Sequence, residues 1–66
     1  MNIIINGKTI AINAETTLSS LIQKKCPNPQ RVISEVNERI IKRHDWDTHA
    51  LKDGDQIELI TFVGGG

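Results

Sequence analysis

The chain has 66 residues, eight Lys and Arg balance eight Asp and Glu, and 38% of the residues are hydrophobic. This length allows one small domain, and the hydrophobic share favours a compact core over intrinsic disorder. Nucleic-acid binding is not expected, because the net charge is zero and one Phe, one Trp and no Tyr leave few rings on which bases could stack.

The first predicted element is a β-hairpin centred on Asn6-Gly7. Asn-Gly between β-branched runs is a strong signal for a two-residue type I′ turn, here joining residues 2–6 and 8–13. The register that follows pairs Ile5 with Lys8, Ile3 with Ile10, and Met1 with Ile12. These apolar residues share one face of the hairpin, and Ile4 points to the other.

The next predicted element is a short helix that follows Thr16-Thr17 and runs to about Lys25. Leu18, Leu21 and Ile22 follow the i, i+3, i+4 spacing of a buried stripe. Cys26 continues the stripe, so we expect a small core residue there rather than a nucleophile or sulfur relay. Two prolines follow closely and stop the helix, because proline lacks the backbone donor and restricts the residue before it.

Residues 32–36 and 39–42 are predicted to form a second hairpin around Asn37-Glu38. This turn is less diagnostic than Asn-Gly, because Glu tolerates a positive φ poorly. After an irregular stretch, in which Trp46 is expected to close the edge of the core with Leu51, a turn at Asp53-Gly54-Asp55 leads into the last strand, residues 56–63. The face of that strand predicted to be buried carries Ile57, Leu59 and Val63, and the other carries Glu58, Ile60 and Phe62.

The predicted order is strand, strand, helix, strand, strand, strand, which is an α+β arrangement with one helix available to cover one face of a sheet. The domain is expected to span residues 1–63, and residues 64–66 form a glycine tail. Met1 leads into Asn-Ile-Ile-Ile-Asn without a basic segment before a long apolar run, so we expect no signal peptide, no membrane span and a cytoplasmic location. A single cysteine is compatible with that reducing compartment.

The tail, Gly64-Gly65-Gly66, has no side chains with which to pack, so folding alone gives no reason for it. Three extended residues reach about 10 Å and are thin enough to bring the carboxyl group of Gly66 into a narrow active site. A carboxylate is a weak electrophile and needs activation, but the chain contains no phosphate-binding loop, so another protein has to supply the nucleotide site. Taken alone, the glycines also fit a frayed terminus or an engineered addition.

The whole chain resembles the ThiS family of thiamine-biosynthesis sulfur carriers, within the ubiquitin-like β-grasp superfamily. The resemblance is carried by the opening Ile3-Ile4-Ile5-Asn6-Gly7, by Val36-Asn37-Glu38 with Ile41, Arg43 and Trp46, and by residues 53–58 leading to Phe62-Val63-Gly64-Gly65-Gly66. It implies a β-grasp fold with a mixed sheet of about five strands, one helix on one face and a flexible tail.

The resemblance also implies the chemistry of the tail. In similar proteins, an E1-like adenylyltransferase of the ThiF type uses ATP to adenylate the last glycine, here Gly66. Sulfur from a cysteine desulfurase replaces the adenylate and gives a thiocarboxylate, which thiazole synthase (ThiG) uses. The chain would then be a protein substrate, with no catalytic residue and no bound cofactor of its own.

A partner-binding face is predicted on the side of the sheet away from the helix. Ile4, Ile60 and Phe62 fall on that side, and Ile40 joins them if the second hairpin has a two-residue loop; such an exposed apolar patch often marks a partner site. The polar stretch around His44 and His49 matches no metal motif, so no metal site is expected there.

Three alternatives to a thiamine-pathway carrier stay open at this point. One is a MoaD-like sulfur carrier for molybdopterin synthesis, which shares the same tail chemistry. The others are a ubiquitin-like modifier that is joined to lysines and a β-grasp interaction module whose tail is inert.

Overall fold

A computed structural model of the chain describes residues 1–62. Within this range the elements follow the predicted order: β1 (Asn2–Ile5), β2 (Lys8–Ala11), α1 (Leu18–Lys25), β3 (Val32–Val36), β4 (Arg39–Ile41) and β5 (Gln56–Thr61). Short 3₁₀ turns at Pro29–Arg31 and Arg43–Asp45 lie in the connections. The predicted domain boundary after Val63 lies outside the described residues.

The strands form a mixed sheet in the order β2-β1-β5-β3-β4. β5 is the central strand; it pairs with β1 in parallel and with β3 in antiparallel orientation. The last strand within residues 1–62 is therefore paired on both sides, and the predicted α+β arrangement is confirmed.

The first hairpin has the predicted turn and register. Asn6 and Gly7 have φ angles of 48° and 85°, as a type I′ turn requires. The pairs Ile5 with Lys8 and Ile3 with Ile10 are formed, and the backbones of Met1 and Ile12 exchange hydrogen bonds of 2.8 and 2.9 Å.

Helix α1 covers one face of the sheet, and the core lies between them. Thr17 caps the helix by accepting a hydrogen bond from the N–H of Ser20 at 3.2 Å. The predicted apolar stripe of the helix, Leu18, Leu21 and Ile22, is buried. Together with Ile3 and Ile57 it forms the centre of the core. No helix within residues 1–62 is long and apolar enough to cross a membrane.

The margin of the core is closed as predicted. Trp46 and Leu51 are both buried, and the indole Nε1 of Trp46 donates to the carbonyl of Ile41 at 2.9 Å. The buried hydroxyl of Ser34 donates to the same carbonyl at 3.1 Å. Cys26 is half-buried and packs against the core.

The second hairpin also has a two-residue turn, in which Asn37 and Glu38 have φ angles of 52° and 71°. Bonds of the Asn37 side chain compensate for the unfavourable left-handed conformation of Glu38. The Nδ2 group of Asn37 donates to Oδ1 of Asp55 at 3.0 Å, and Oδ1 of Asn37 accepts from the N–H of Gln56 at 3.0 Å. The turn is thus fastened to the start of β5, and the prediction of a hairpin here is confirmed.

Candidate functional site

The candidate site starts where β5 leaves the body of the protein. Beyond the end of β1, the side chain of Asn6 takes the place of a neighbouring strand: it accepts from the N–H of Leu59 at 2.9 Å and donates to its carbonyl at 3.2 Å. On the other side of β5, the N–H of Phe62 donates to the carbonyl of Arg31 at 3.0 Å. The position from which the glycine tail continues is therefore fixed by contacts on both edges of the strand.

The predicted modified residue and tail, Gly66 with Gly64 and Gly65, lie outside the described residues, as does Val63. Their roles remain predictions from the sequence.

The sheet face opposite α1, here called the open face, carries large apolar side chains close to this exit. Of the predicted partner-binding residues, Ile40 is 65% exposed, Ile60 50% and Phe62 44%. Ile40 lies on this face because the second hairpin has the two-residue loop on which its assignment depended. The structure thus brings these three residues onto one exposed surface.

Ile33 belongs to the same surface and was missed by the sequence analysis. It is 41% exposed and lies directly opposite Ile60 in the pairing of β3 with β5. It is also the diagonal neighbour of Ile40, since Ile40 pairs with the residue two positions further along β3. The alternation of buried Val32, Ser34 and Val36 was the signal that could have placed it there.

Ile4 lies on the open face, as predicted, but away from this cluster. It is half-buried and pairs with Gln56 on β5 and with Thr9 on β2. Gln56 and Ile60 are four residues apart along the strand, or about 13 Å. The exposed apolar cluster therefore differs from the predicted patch in two ways: it lacks Ile4 and it includes Ile33. Its members are Ile33, Ile40, Ile60 and Phe62.

The acidic residues near the start of β5 accept hydrogen bonds from backbone N–H groups. Asp55 is buried and accepts from the N–H of Lys52 at 2.8 Å in addition to its bond from Asn37. Asp53 accepts from the N–H of Asn2 at 2.7 Å. Within residues 1–62, no group of three or more His, Cys, Asp or Glu side chains is placed to hold a metal ion.

A mixed five-stranded sheet with one helix across one face, and with the strand that leads to the glycine tail at its centre, defines a ubiquitin-like β-grasp protein. The chain matches the ThiS family model over residues 3–66, and it belongs to that family.

Individual relatives agree with this assignment. The chain is 29% identical to the sulfur carrier protein ThiS of Escherichia coli over 66 residues, which are 100% of both chains. The crystal structure of the thiamine biosynthesis protein (ThiS) from Geobacter metallireducens superposes with a TM-score of 0.86, at 30% identity and 100% coverage of both chains. A thiazole synthase from Magnetococcus marinus is 35% identical over 66 residues. The chain spans 20% of the length of the curated thiazole synthases that it matches.

Proposed function

We propose that this protein is a cytoplasmic sulfur carrier of thiamine biosynthesis, and that it carries the sulfur on the carboxyl group of Gly66. The observation that carries the proposal is the family match, which extends through the glycine tail to residue 66. A relative that matches along its whole length, from Escherichia coli, is named as a sulfur carrier.

The chemistry follows from the state of the carboxyl group. It is ionised at neutral pH and resists attack by a nucleophile. A ThiF-like adenylyltransferase joins it to the adenylyl group of ATP, and pyrophosphate leaves. The outer sulfur of a persulfide, supplied through a cysteine desulfurase, then attacks the acyl carbon, and AMP leaves. A thiol cleaves the S–S bond of the resulting acyl disulfide, which releases the thiocarboxylate on Gly66 and leaves the thiol and the former persulfide cysteine joined as a disulfide.

The protein's own part in this chemistry is to be recognised and to present its tail. It acts as a substrate of its partner enzymes rather than as an enzyme. The contacts of Leu59 and Phe62 with Asn6 and Arg31 hold the end of β5, so that residues 63–66 start from a defined point. The exposed apolar cluster beside that point supplies a surface on which the adenylyltransferase can dock.

Thiazole synthase is the proposed acceptor of the sulfur. Its support is that proteins named thiazole synthase contain a segment similar to this entire chain. The presence of a carrier-like segment and a thiazole synthase in one polypeptide is consistent with two partners that act one after the other.

Complementation of a strain that lacks the carrier gene tests the proposal. We expect the deletion strain to need thiamine or its thiazole precursor for growth, and the full chain to remove that need. A chain that lacks only Gly66 should fold normally and fail to complement. Growth restored by the shortened chain, or a deletion strain that grows without thiamine or thiazole, would contradict the proposal; the second result is the one expected of a molybdopterin-pathway carrier.

A further inference from the structure

Two glutamates face each other in the middle of the open face. Glu35 on β3 lies directly opposite Glu58 on β5, and the alternation along both strands puts their side chains on the side away from α1. Like charges at directly opposite positions destabilise a sheet. Within residues 1–62, no Lys, Arg or His nitrogen lies within 4.0 Å of either carboxylate.

The pair is bordered by the exposed apolar cluster. Ile33 and Ile60 are the next residues on the same face of β3 and β5, and Ile40 lies opposite Glu35 on β4. Among the residues of the five described strands, Glu35 and Glu58 are the ionisable ones whose side chains point to the open face. A partner that covers the cluster therefore also covers two carboxylates, neither of which is paired with a cation within residues 1–62.

We propose that the adenylyltransferase docks on this face with an Arg or Lys side chain placed between Glu35 and Glu58, surrounded by apolar side chains that cover Ile33, Ile40 and Ile60. The proposal rests on the proposed function, because that function names the occupant. Burying two carboxylates without a counter-charge is costly, and one cation offsets both their desolvation and their repulsion. An arginine fits best, since its planar group can donate to two carboxylates at once.

The charge pattern also selects among partners. An apolar surface alone accepts many apolar partners. The acidic pair repels a partner that brings an acidic group to its centre, and a neutral partner would have to bury both carboxylates without a counter-charge. The glutamates lower the stability of the free carrier and raise its affinity for the correct enzyme. Stability and affinity should therefore change in opposite directions when the charges are removed.

The test uses Glu35→Gln, Glu58→Gln and the double variant in the full-length protein. Calorimetric binding to the full-length adenylyltransferase is measured at low and high salt, together with the melting temperature of each free variant. We expect each single variant to melt at a higher temperature and to bind at least about tenfold more weakly at low salt. The affinity of the double variant should be little lower than that of either single variant, because both carboxylates share one cation. Its binding should also depend less on salt than that of the unaltered chain.

Glu15→Gln is the matched control, because Glu15 is exposed and lies in a loop outside the sheet. Unchanged affinity in the Glu35 and Glu58 variants, or a loss no larger than that of the control, would overturn the proposal. So would weaker binding accompanied by a lower melting temperature, which would indicate a structural role. Mass spectrometry of Gly66 at saturating adenylyltransferase separates the docking proposal from the proposed function. Sulfur loading that persists in a weakly binding variant supports both. If the unaltered chain is not loaded with sulfur, the proposed function is refuted, whereas the docking proposal is judged by the binding measurements.

Discussion

The side chain of Asn6 and the backbone of Leu59 are joined by two hydrogen bonds, of 2.9 and 3.2 Å, across 53 positions of sequence. Asn6 is also a turn residue with a φ of 48°. One side chain therefore both favours the first hairpin and extends the pairing of β1 with β5 beyond the end of β1.

Replacing Asn6 with glycine tests this link, because Asn6→Gly keeps a residue that accepts the turn conformation and removes both bonds. We expect the free energy of unfolding to fall by about 1 to 2 kcal/mol. In hydrogen exchange, the amide of Leu59 should lose more protection than that of Leu21 in the helix, which reports global unfolding. Equal loss at both amides would contradict the proposed role of Asn6.

Relieving the turn of the second hairpin should stabilise the protein. Glu38 has a φ of 71°, a conformation that costs a residue with a Cβ about 1 to 2 kcal/mol and costs glycine little. We expect Glu38→Gly to raise the free energy of unfolding by about 0.5 to 1 kcal/mol, because the greater freedom of glycine in the unfolded chain offsets part of the gain. Glu38→Ala is the control for loss of the side chain, and an equal gain in both variants would exclude backbone strain as the cause.

The two aspartates before β5 should differ in their contribution to stability. Asp55 is buried and accepts two hydrogen bonds, whereas Asp53 is exposed and accepts one. Chemical unfolding of Asp55→Ala should show a loss of about 2 to 3 kcal/mol, and Asp53→Ala a loss of about 1 kcal/mol or less. Similar losses in the two variants would mean that burial of the Asp55 carboxylate adds nothing.

A charge placed in the exposed apolar cluster should block docking without unfolding the carrier. Ile60 is 50% exposed, so Ile60→Asp should leave the fold intact and lower the free energy of unfolding by about 1 to 2 kcal/mol. The cost comes from the low strand propensity of Asp and from its position on the same face as Glu58. We expect its affinity for the adenylyltransferase to fall at least about tenfold. Thr9→Asp puts the same charge on the open face at β2, away from the cluster, and equal affinities of the two variants would contradict the proposed docking surface.

The local parts of the fold could be predicted because short-range chemistry determines them. Asn6-Gly7 specified the first turn and with it the register of β1 and β2, and the helix followed from the spacing of three apolar residues. The conformation of Glu38 could not be predicted locally, because it is maintained by bonds from Asn37 to residues near the start of β5.

The composition of the open face depends on contacts that are distant in sequence. Periodicity placed Ile4 on the correct face, but its distance from Ile60 is set by the parallel register of β1 and β5, which no turn specifies. Ile33 could have been found from the alternation of its own strand. Its position opposite Ile60 depends on the pairing of β3 with β5, which is again a long-range contact.

The central claim is that the carboxyl group of Gly66 becomes a thiocarboxylate, and intact-mass measurement with fragmentation tests it most directly. The full chain is incubated with the adenylyltransferase, ATP, a cysteine desulfurase, cysteine and a thiol reductant. Cys26→Ser is run in parallel to exclude sulfur bound to the cysteine side chain. We predict that one oxygen is replaced by one sulfur at Gly66 in both proteins. An unchanged mass, or sulfur that is found on Cys26 and is absent from the Cys26→Ser chain, would contradict the account.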